Sequence, residues 1–191
     1  MPMRKGVTGA GGGAGGGAGA GGGGGAGSGG RGEVSGGGGF VVVGCRPADL
    51  PRLATIASRL ARSLVPGDLV LLEGPLGAGK TAFVRLVAEA LGVSHGVRSP
   101  SFTIANIYQG RVTVNHLDLY RLDGEEDEDV FALEEYLTPD AITLVEWPER
   151  ALHRLIAPEW IVRMDHDTPD TRLVAIEGRD AVVAARWDAA E

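Results

Sequence analysis

The chain has 191 residues and a formal net charge of −7, but its composition divides into two unlike parts. Of its 32 glycines, 22 lie in residues 1–39 and only 10 in the other 152 positions. Glycine and alanine bury almost no apolar surface, so the first segment cannot offset the entropy lost on ordering its backbone. We predict a disordered Gly-rich tail over 1–39. A translation start assigned too far upstream would produce the same composition in this segment. Residues 40–191 then form one domain of ordinary size.

The distribution of charge excludes one class of function. The tail carries +2, which leaves −9 on residues 40–191. Nucleic-acid affinity depends mainly on lysines and arginines that neutralise phosphates, so a domain this acidic is excluded as an autonomous nucleic-acid binder. The run 123–129 holds six of the carboxylates. It is either a solvated loop and helix start or a docking patch for a basic partner.

The single cysteine, Cys45, cannot form an intrachain disulfide, and nothing indicates an oxidising compartment. No apolar run approaches the roughly 20 residues of a membrane helix, and the N-terminus lacks the apolar core of a signal peptide. These features predict a cytoplasmic protein.

The pattern after the tail alternates between strand and helix. A short β-branched strand is expected at 40–43. Asp49 can then cap a helix with apolar residues spaced by three and four, namely Leu53, Ile56, Ala57, Leu60, Ala61 and Leu64. The run 69–72 is apolar throughout, which is typical of a strand covered on both faces. A helix over 81–91 follows and ends at Gly92.

The remaining elements favour an α/β fold. Strands are predicted at 102–108, 112–120 and 142–145, helices at 126–137 and 149–156, and a hairpin of strands at 160–164 and 172–176. Strands mixed with helices over this length indicate a three-layer α/β domain. The strand pairs within 102–120 and 160–176 are both expected to be hairpins, which predicts a central sheet that mixes parallel and antiparallel strands.

Residues 74–81 match the phosphate-loop pattern G-x-x-x-x-G-K-[ST] at every fixed position, between an apolar strand and a helix. Glycines let successive backbone N–H groups face phosphate oxygens, and the helix presents its positive end to the same anion. Lys80 is expected to reach the β- and γ-phosphates, and the Thr81 hydroxyl to bind Mg²⁺. The predicted nucleotide-binding residues of the loop are Gly74, Leu76, Gly77, Ala78, Gly79, Lys80 and Thr81.

A nucleotide triphosphatase also needs carboxylates that hold the magnesium shell and position a water. Glu146 ends the apolar strand 142–145, as in a Walker B motif with Glu in place of Asp. On the neighbouring predicted strand, a period of two places His116, Asp118 and Tyr120 on one face. The candidate catalytic residues are therefore Asp118 and Glu146, and the candidate metal ligands are Thr81, Asp118 and Glu146.

The sequence is also compatible with purely structural roles for these side chains. Glu146 could pair with an arginine, and Asp118 could be a structural partner of Arg121 or His116. His116 itself fits an orienting or core histidine better than a base, because buried ionisable groups are often structural.

Four segments, taken in order, resemble the TsaE family of small bacterial ATPases. They are the phosphate loop with its helix start (74–83), Ser-Pro-Ser-Phe-Thr (99–103), His-Leu-Asp-Leu-Tyr-Arg-Leu (116–122) and Val-Glu-Trp-Pro-Glu (145–149). The last two are specific to the family, whereas a phosphate loop is not. The resemblance covers residues 40–178 and implies a P-loop domain whose strand order departs from that of ordinary P-loop kinases.

The resemblance also implies a function. Such a protein would use ATP and Mg²⁺ and act as ATPase subunit with the TsaB–TsaD pair, which threonylcarbamoylates adenosine 37 in tRNAs that read codons beginning with adenine. TsaD would carry out the transfer, ATP hydrolysis would support repeated turnover, and the partners would hold the tRNA.

The same resemblance assigns roles to single residues. Thr81 matches a Mg²⁺-binding threonine, Asp118 an acid important for hydrolysis, and Glu146 an acid associated with the metal and catalysis. Segment 99–103 matches a switch-like segment near the γ-phosphate. Arg172 falls where the family contacts the base side of the nucleotide.

Two other functions remain as alternatives. A small-molecule P-loop kinase would need an arginine-rich lid, whereas the stretch 121–140 is acidic. A nucleotide switch would bind its ligand, hydrolyse it negligibly and act in the bound state. The sequence has no Asn-Lys-x-Asp motif for guanine, which favours ATP for any of the three.

Overall fold

The structure, a computed structural model, describes residues 39–94, 96–100, 103–122, 133–150 and 157–191. Of the predicted tail, only Gly39 belongs to this part of the chain. The acidic run 123–129 lies outside it, as do most of the two helices predicted at 126–137 and 149–156.

The described residues form a seven-stranded sheet with α-helices, which confirms the predicted mixed α/β fold. The elements are β1 (Val41–Ala48), α1 (Leu50–Ser63), β2 (Leu69–Glu73), α2 (Lys80–Ala90), β3 (Ala105–Gln109), β4 (Thr113–Asp118), β5 (Ala141–Glu146), β6 (Trp160–His166), β7 (Arg172–Gly178) and α3 (Ala181–Ala189). Two 3₁₀-helices cover Leu133–Tyr136 and Pro148–Arg150. None of these helices is long and apolar enough to cross a bilayer.

The sheet order is β1-β7-β6-β2-β5-β4-β3. The three central pairs, β6 with β2, β2 with β5 and β5 with β4, are parallel. The flanking pairs β1 with β7, β7 with β6 and β4 with β3 are antiparallel. The carboxyl ends of β2, β4 and β5 therefore meet at one edge of the sheet, where ligands usually bind in such folds.

Strand β2 lies in the middle of the sheet, between β6 and β5, and apolar clusters cover both of its faces. Val70 and Leu72 belong to an apolar cluster that also contains buried apolar residues from each of α1, α2 and α3. Leu69 and Leu71 face a second cluster, with Leu117 of β4. This arrangement explains why the strand lacks polar alternation and confirms the prediction made from that pattern.

Helix α1 begins where its sequence predicts. The Asp49 carboxylate accepts a hydrogen bond of 3.0 Å from the Arg52 N–H, which satisfies one of the unpaired donors of the first turn. The predicted apolar face is buried in the cluster on that side of the sheet.

Several predicted bounds differ from those observed. The strand expected at 102–108 begins at Ala105, because Thr103 and Ile104 turn the chain and Ile104 has a φ of +59°. Strand β1 runs on to Ala48 because it pairs with β7 along its whole length. The end of the predicted helix 126–137 is a 3₁₀-helix, Leu133–Tyr136.

The sequence analysis missed helix α3. The helix is capped by Asp180, whose carboxylate accepts from the Val183 N–H at 2.9 Å. Its Arg186 reaches across to the Asp68 carboxylate, which is only 4% exposed, with contacts of 3.0–3.2 Å. The indole N–H of Trp160 donates to the same carboxylate at 3.3 Å. Burial raises the pKa of Asp68, while the Val65 N–H and the charge of Arg186 oppose that rise.

Replacing Arg186 by methionine should destabilise the fold, because the buried Asp68 carboxylate would lose its cationic partner. Breaking a buried ion pair from one side costs about 3–5 kcal/mol, and we expect the lower value because Arg186 is partly exposed. Urea unfolding at pH 7 measures the loss. The control Arg179→Met removes a more exposed pair with Glu159 and should cost less than about 1 kcal/mol.

The cost of Arg186→Met should also shrink as the pH falls. Losing the arginine raises the pKa of Asp68 further above its unfolded value, so the folded state binds that proton more tightly. The penalty is then largest above the folded pKa and declines as the pH drops through it. A difference from wild type that stays constant with pH would contradict this account of helix α3.

Candidate nucleotide-binding site

The phosphate loop joins β2 to α2 and depends on glycine. Gly74, Gly77 and Gly79 have φ values of +141°, +77° and +99°, which side chains rarely adopt. A Cβ on Gly74 would lie 2.0 Å from the Met164 carbonyl oxygen, so the loop can pass this close to β6 only without a side chain. Gly79 caps α2 without a side-chain hydrogen bond, and the first N–H groups of the helix remain suited to an anion.

Lys80 is the first residue of α2 and is only 4% exposed. Its ammonium group donates to the carbonyl oxygens of Gly74 at 2.6 Å and Pro75 at 3.1 Å. It also lies 3.6 Å from the centre of the Trp147 ring, a cation–π distance. These contacts hold the Lys80 ammonium group against the phosphate loop, where it is expected to bind phosphate oxygens.

The charges of three carboxylates act on the Lys80 ammonium group. Burial lowers the pKa of Lys80, and the negative charges of Glu146, Glu149 and Asp118 act in the opposite direction. The ammonium group already interacts with negatively charged oxygens at this glycine loop. It is therefore suited to bind phosphate oxygens, which are negatively charged as well.

The two candidate acids lie side by side. Strands β4 and β5 are parallel, and their register places Asp118 directly opposite Glu146 at the carboxyl ends of both strands. Like charges opposite each other are destabilising, so each carboxylate needs donors that offset the repulsion.

Glu146 is 2% exposed, and both of its oxygens are engaged. Oε2 accepts a hydrogen bond of 3.0 Å from the Thr81 hydroxyl, next to the phosphate-loop lysine. Oε1 lies 2.8 Å from His116 Nε2. The arginine pairing that the sequence left open for Glu146 is replaced in the structure by these two contacts.

Asp118 is less buried and has different partners. Its Oδ2 accepts from the Ser99 hydroxyl at 2.7 Å, and its Oδ1 accepts from the Tyr120 N–H at 3.2 Å. Ser99 opens the segment predicted to be switch-like, so the acid is tied to that segment rather than to His116.

The loop and the two acids border one cavity of about 560 Å³. Its walls include Lys80, Thr81, Ser99, Asp118, Glu146, Leu76, Gly77, Gly79, Ile104, Tyr120 and Trp147. Ile104 and Trp147 are the two non-glycine residues of the described ranges with positive φ, at +59° and +57°. Strained backbone of this kind is often found at functional sites.

The groups beside the loop fit a magnesium ion that shares a phosphate ligand. Mg²⁺ in such sites takes one or two carboxylates together with phosphate oxygens and waters. Thr81, Glu146 and Asp118 offer a hydroxyl and two carboxylates, and the Thr81–Glu146 contact already joins two of these groups.

Most of the predicted site residues line this cavity. Gly74 and Ala78 lie within the loop but are not among the lining residues, and Arg172 is not among them either. It begins β7, and its guanidinium donates to the backbone oxygens of Thr168, Pro169 and Thr171 at the tip of the β6–β7 hairpin. The hairpin meets the loop elsewhere, where His166 Nε2 lies 3.2 Å from the Leu76 carbonyl oxygen.

The sequence analysis assigned no role to the aromatic wall of the cavity. The rings of Tyr120 and Trp147 are 4.9 Å apart and tilted, and Trp147 also covers Lys80. Each aromatic residue lies just after a candidate acid in the sequence, and this position is the signal that could have identified them.

Comparison with known proteins identifies a family. The family model described as threonylcarbamoyl adenosine biosynthesis protein TsaE matches residues 48–174. The tRNA threonylcarbamoyladenosine biosynthesis protein TsaE of Treponema pallidum is 37% identical over 136 residues, which cover 71% of this chain and 93% of that protein. The Streptomyces coelicolor protein of the same name is 37% identical over 144 residues, with coverage of 71% and 94%.

A solved structure agrees with these sequence matches. The crystal structure of Bacillus subtilis YdiB superposes with a TM-score of 0.64 and 26% sequence identity, and covers 79% of this chain and 95% of that one. The family match covers more than half of the chain and includes the phosphate loop and both candidate acids. The chain therefore belongs to the TsaE family.

Proposed function

We propose that this protein is a cytoplasmic Mg²⁺-dependent ATPase that acts as accessory subunit of TsaB–TsaD, which threonylcarbamoylates adenosine 37 of tRNAs reading codons that begin with adenine. The observation that carries the proposal is the hydrogen bond from Thr81 to Glu146. It joins the residue after the phosphate-loop lysine to the acid at the end of β5, so a triphosphate in the loop would lie beside that carboxylate.

The residues divide the work of hydrolysis between them. Backbone N–H groups of the loop and Lys80 bind the phosphates, and Mg²⁺, when bound, neutralises charge on the phosphate oxygens. A phosphoryl group passes through a loose transition state, so the protein contributes mainly position and electrostatics. Glu146 and Asp118 orient the attacking water, and one of the two carboxylates accepts the proton that the water loses as its oxygen bonds to the γ-phosphorus and ADP leaves, because each carboxylate oxygen keeps a lone pair beyond the contact already made.

An accessory role accounts for the acidic surface. Residues 40–191 carry −9, which disfavours direct contact with tRNA phosphates. The tRNA would be held by the partners, and hydrolysis in this subunit would support their repeated turnover. The names of the Treponema and Streptomyces relatives support the pathway.

Lys80→Ala should weaken MgATP binding by about 10- to 100-fold or more, because hydrogen bonds to charged groups contribute about 1.5–3 kcal/mol each. Isothermal calorimetry measures the affinity. The matched control Arg150→Ala removes a cation that is exposed and is not among the residues lining the cavity, and should leave binding unchanged. Equal affinities for Lys80→Ala and wild type would contradict a phosphate-binding role for the loop.

Glu146→Gln and Asp118→Asn should each lower kcat for ATP hydrolysis by about 100-fold or more, since positioned acids and bases contribute about 10²–10⁴-fold. MgATP affinity should stay within a few-fold, because the loop backbone and Lys80 would still bind the phosphates, which themselves hold the ion. Phosphate release and calorimetry separate the two quantities. Glu149→Gln removes a similar charge near Lys80 from an exposed side chain and should retain activity. Loss of folding in the two active-site variants, seen by circular dichroism, would show that these acids are structural.

Reconstitution with the TsaB and TsaD partners tests the pathway. With tRNA in excess over enzyme, omission of this chain should stop modification after about one turnover, and Lys80→Ala should restore it poorly at an ATP concentration that only just saturates wild type, because the variant binds nucleotide more weakly. Modified nucleoside is quantified by mass spectrometry. If omission changes nothing, the pathway assignment fails even though the protein binds ATP.

A further inference from the structure

His116 is a buried polar residue that the proposed mechanism has not used. It is 0% exposed and lies within β4, two residues before Asp118. Its Nε2 is 2.8 Å from Glu146 Oε1, and this carboxylate is itself 2% exposed. The contact therefore joins two side chains that solvent barely reaches.

The chemistry of the pair assigns the hydrogen to one ring nitrogen. An ionised carboxylate only accepts, so Nε2 must be the donor. The other nitrogen, Nδ1, is buried and has no hydrogen-bond partner among the described residues. Leaving a buried polar atom unpaired costs stability, and an apolar side chain would avoid this cost. What a polar side chain at position 116 provides, and an apolar one could not, is therefore the hydrogen bond to Glu146.

The sheet register explains how the imidazole reaches this acid. The Cα of His116 is paired with that of Leu144 on β5, whereas Asp118 is paired with Glu146. His116 thus lies two residue pairs back from the acids and on the same face of β4 as Asp118. Its side chain contacts Glu146 diagonally, and His116 is not among the residues that line the cavity.

Two donors fix the plane of the Glu146 carboxylate. His116 holds Oε1 and the Thr81 hydroxyl holds Oε2. A carboxylate with only one donor can rotate about its last bond, because that torsion is broad. With a donor on each oxygen, the group presents its remaining lone pairs in one direction.

We propose that His116 is a positioning residue for ATP hydrolysis, which holds the Glu146 carboxylate in the plane set by Thr81 beside the phosphate loop. The inference rests on the proposed function and adds a residue that acts through Glu146 without touching the nucleotide. It assigns to the imidazole the role of a fixed hydrogen-bond donor through Nε2.

Three variants of His116 separate this role from simple packing. Glutamine carries an amide nitrogen near the place of Nε2, asparagine carries one near the place of Nδ1, and leucine carries neither. Leucine and asparagine should lower kcat by about 10- to 100-fold while KM for ATP changes less than about threefold, and glutamine should restore most of kcat. Equal activity of all three variants and wild type would overturn the inference, as would equal loss in glutamine and leucine.

A double-mutant cycle tests whether His116 acts through Glu146. In the Glu146→Gln background, His116→Leu should cause little further loss, because the group that it positions no longer serves as a base. Multiplicative losses would mean that His116 acts independently and would overturn the inference.

The wild-type protein provides a test that needs no stable active-site variant. Nitrogen-15 spectra of the imidazole should show a hydrogen on Nε2, assigned by loss of that signal in His116→Gln or by selective labelling. A hydrogen on Nδ1 alone would overturn the inference.

These experiments also distinguish this inference from the proposed function. If wild type hydrolyses ATP, Glu146→Gln does not and His116→Leu is fully active, only the role of His116 fails. If wild type neither binds nor hydrolyses MgATP, the proposed function fails first and the positioning role fails with it.

Discussion

The parallel pairing of β4 with β5 is the constraint on which the candidate site depends. It sets Asp118 opposite Glu146, an arrangement that repulsion between like charges disfavours. The surroundings offset that cost with Thr81 and His116 on one acid, Ser99 and a backbone N–H on the other, and the buried charge of Lys80 nearby. A pair of acids kept together in this way is suited to share a cation, because a bound cation relieves the same repulsion.

The rest of the fold makes that pairing rigid. Strand β2 lies between β5 and β6, with apolar clusters on both of its faces, and it leads directly into the phosphate loop. Close contact between Gly74 and β6 fixes the start of the loop at the carboxyl end of β2, and the buried Asp68–Arg186 pair ties the last helix to the amino end of the same strand. The positive φ angles of Ile104 and Trp147 occur where the chain leaves this rigid frame to form the cavity walls.

Much of the fold could be predicted because its signals are local. The cap at Asp49, the uniformly apolar β2 and the hairpin of β6 with β7 depend on a few neighbouring residues, and the structure confirms them. Helix α3 has a local cap at Asp180, but its contacts with the rest of the fold are distant in sequence, as in the contact of Arg186 with Asp68, 118 residues away. The start of β3 was misplaced because a turn at Ile104 overrides the strand propensity of the segment.

The sequence alone determined the phosphate loop, since its glycines, Lys80 and Thr81 are contiguous and their backbone geometry is local. It also named Asp118 and Glu146 as strand-end acids. Only the tertiary structure decided that these acids face each other, that Thr81 and His116 hold Glu146 across 65 and 30 residues of sequence, and that Trp147 covers Lys80. Strand order and register set those contacts, and both result from packing of the whole sheet rather than from any short segment.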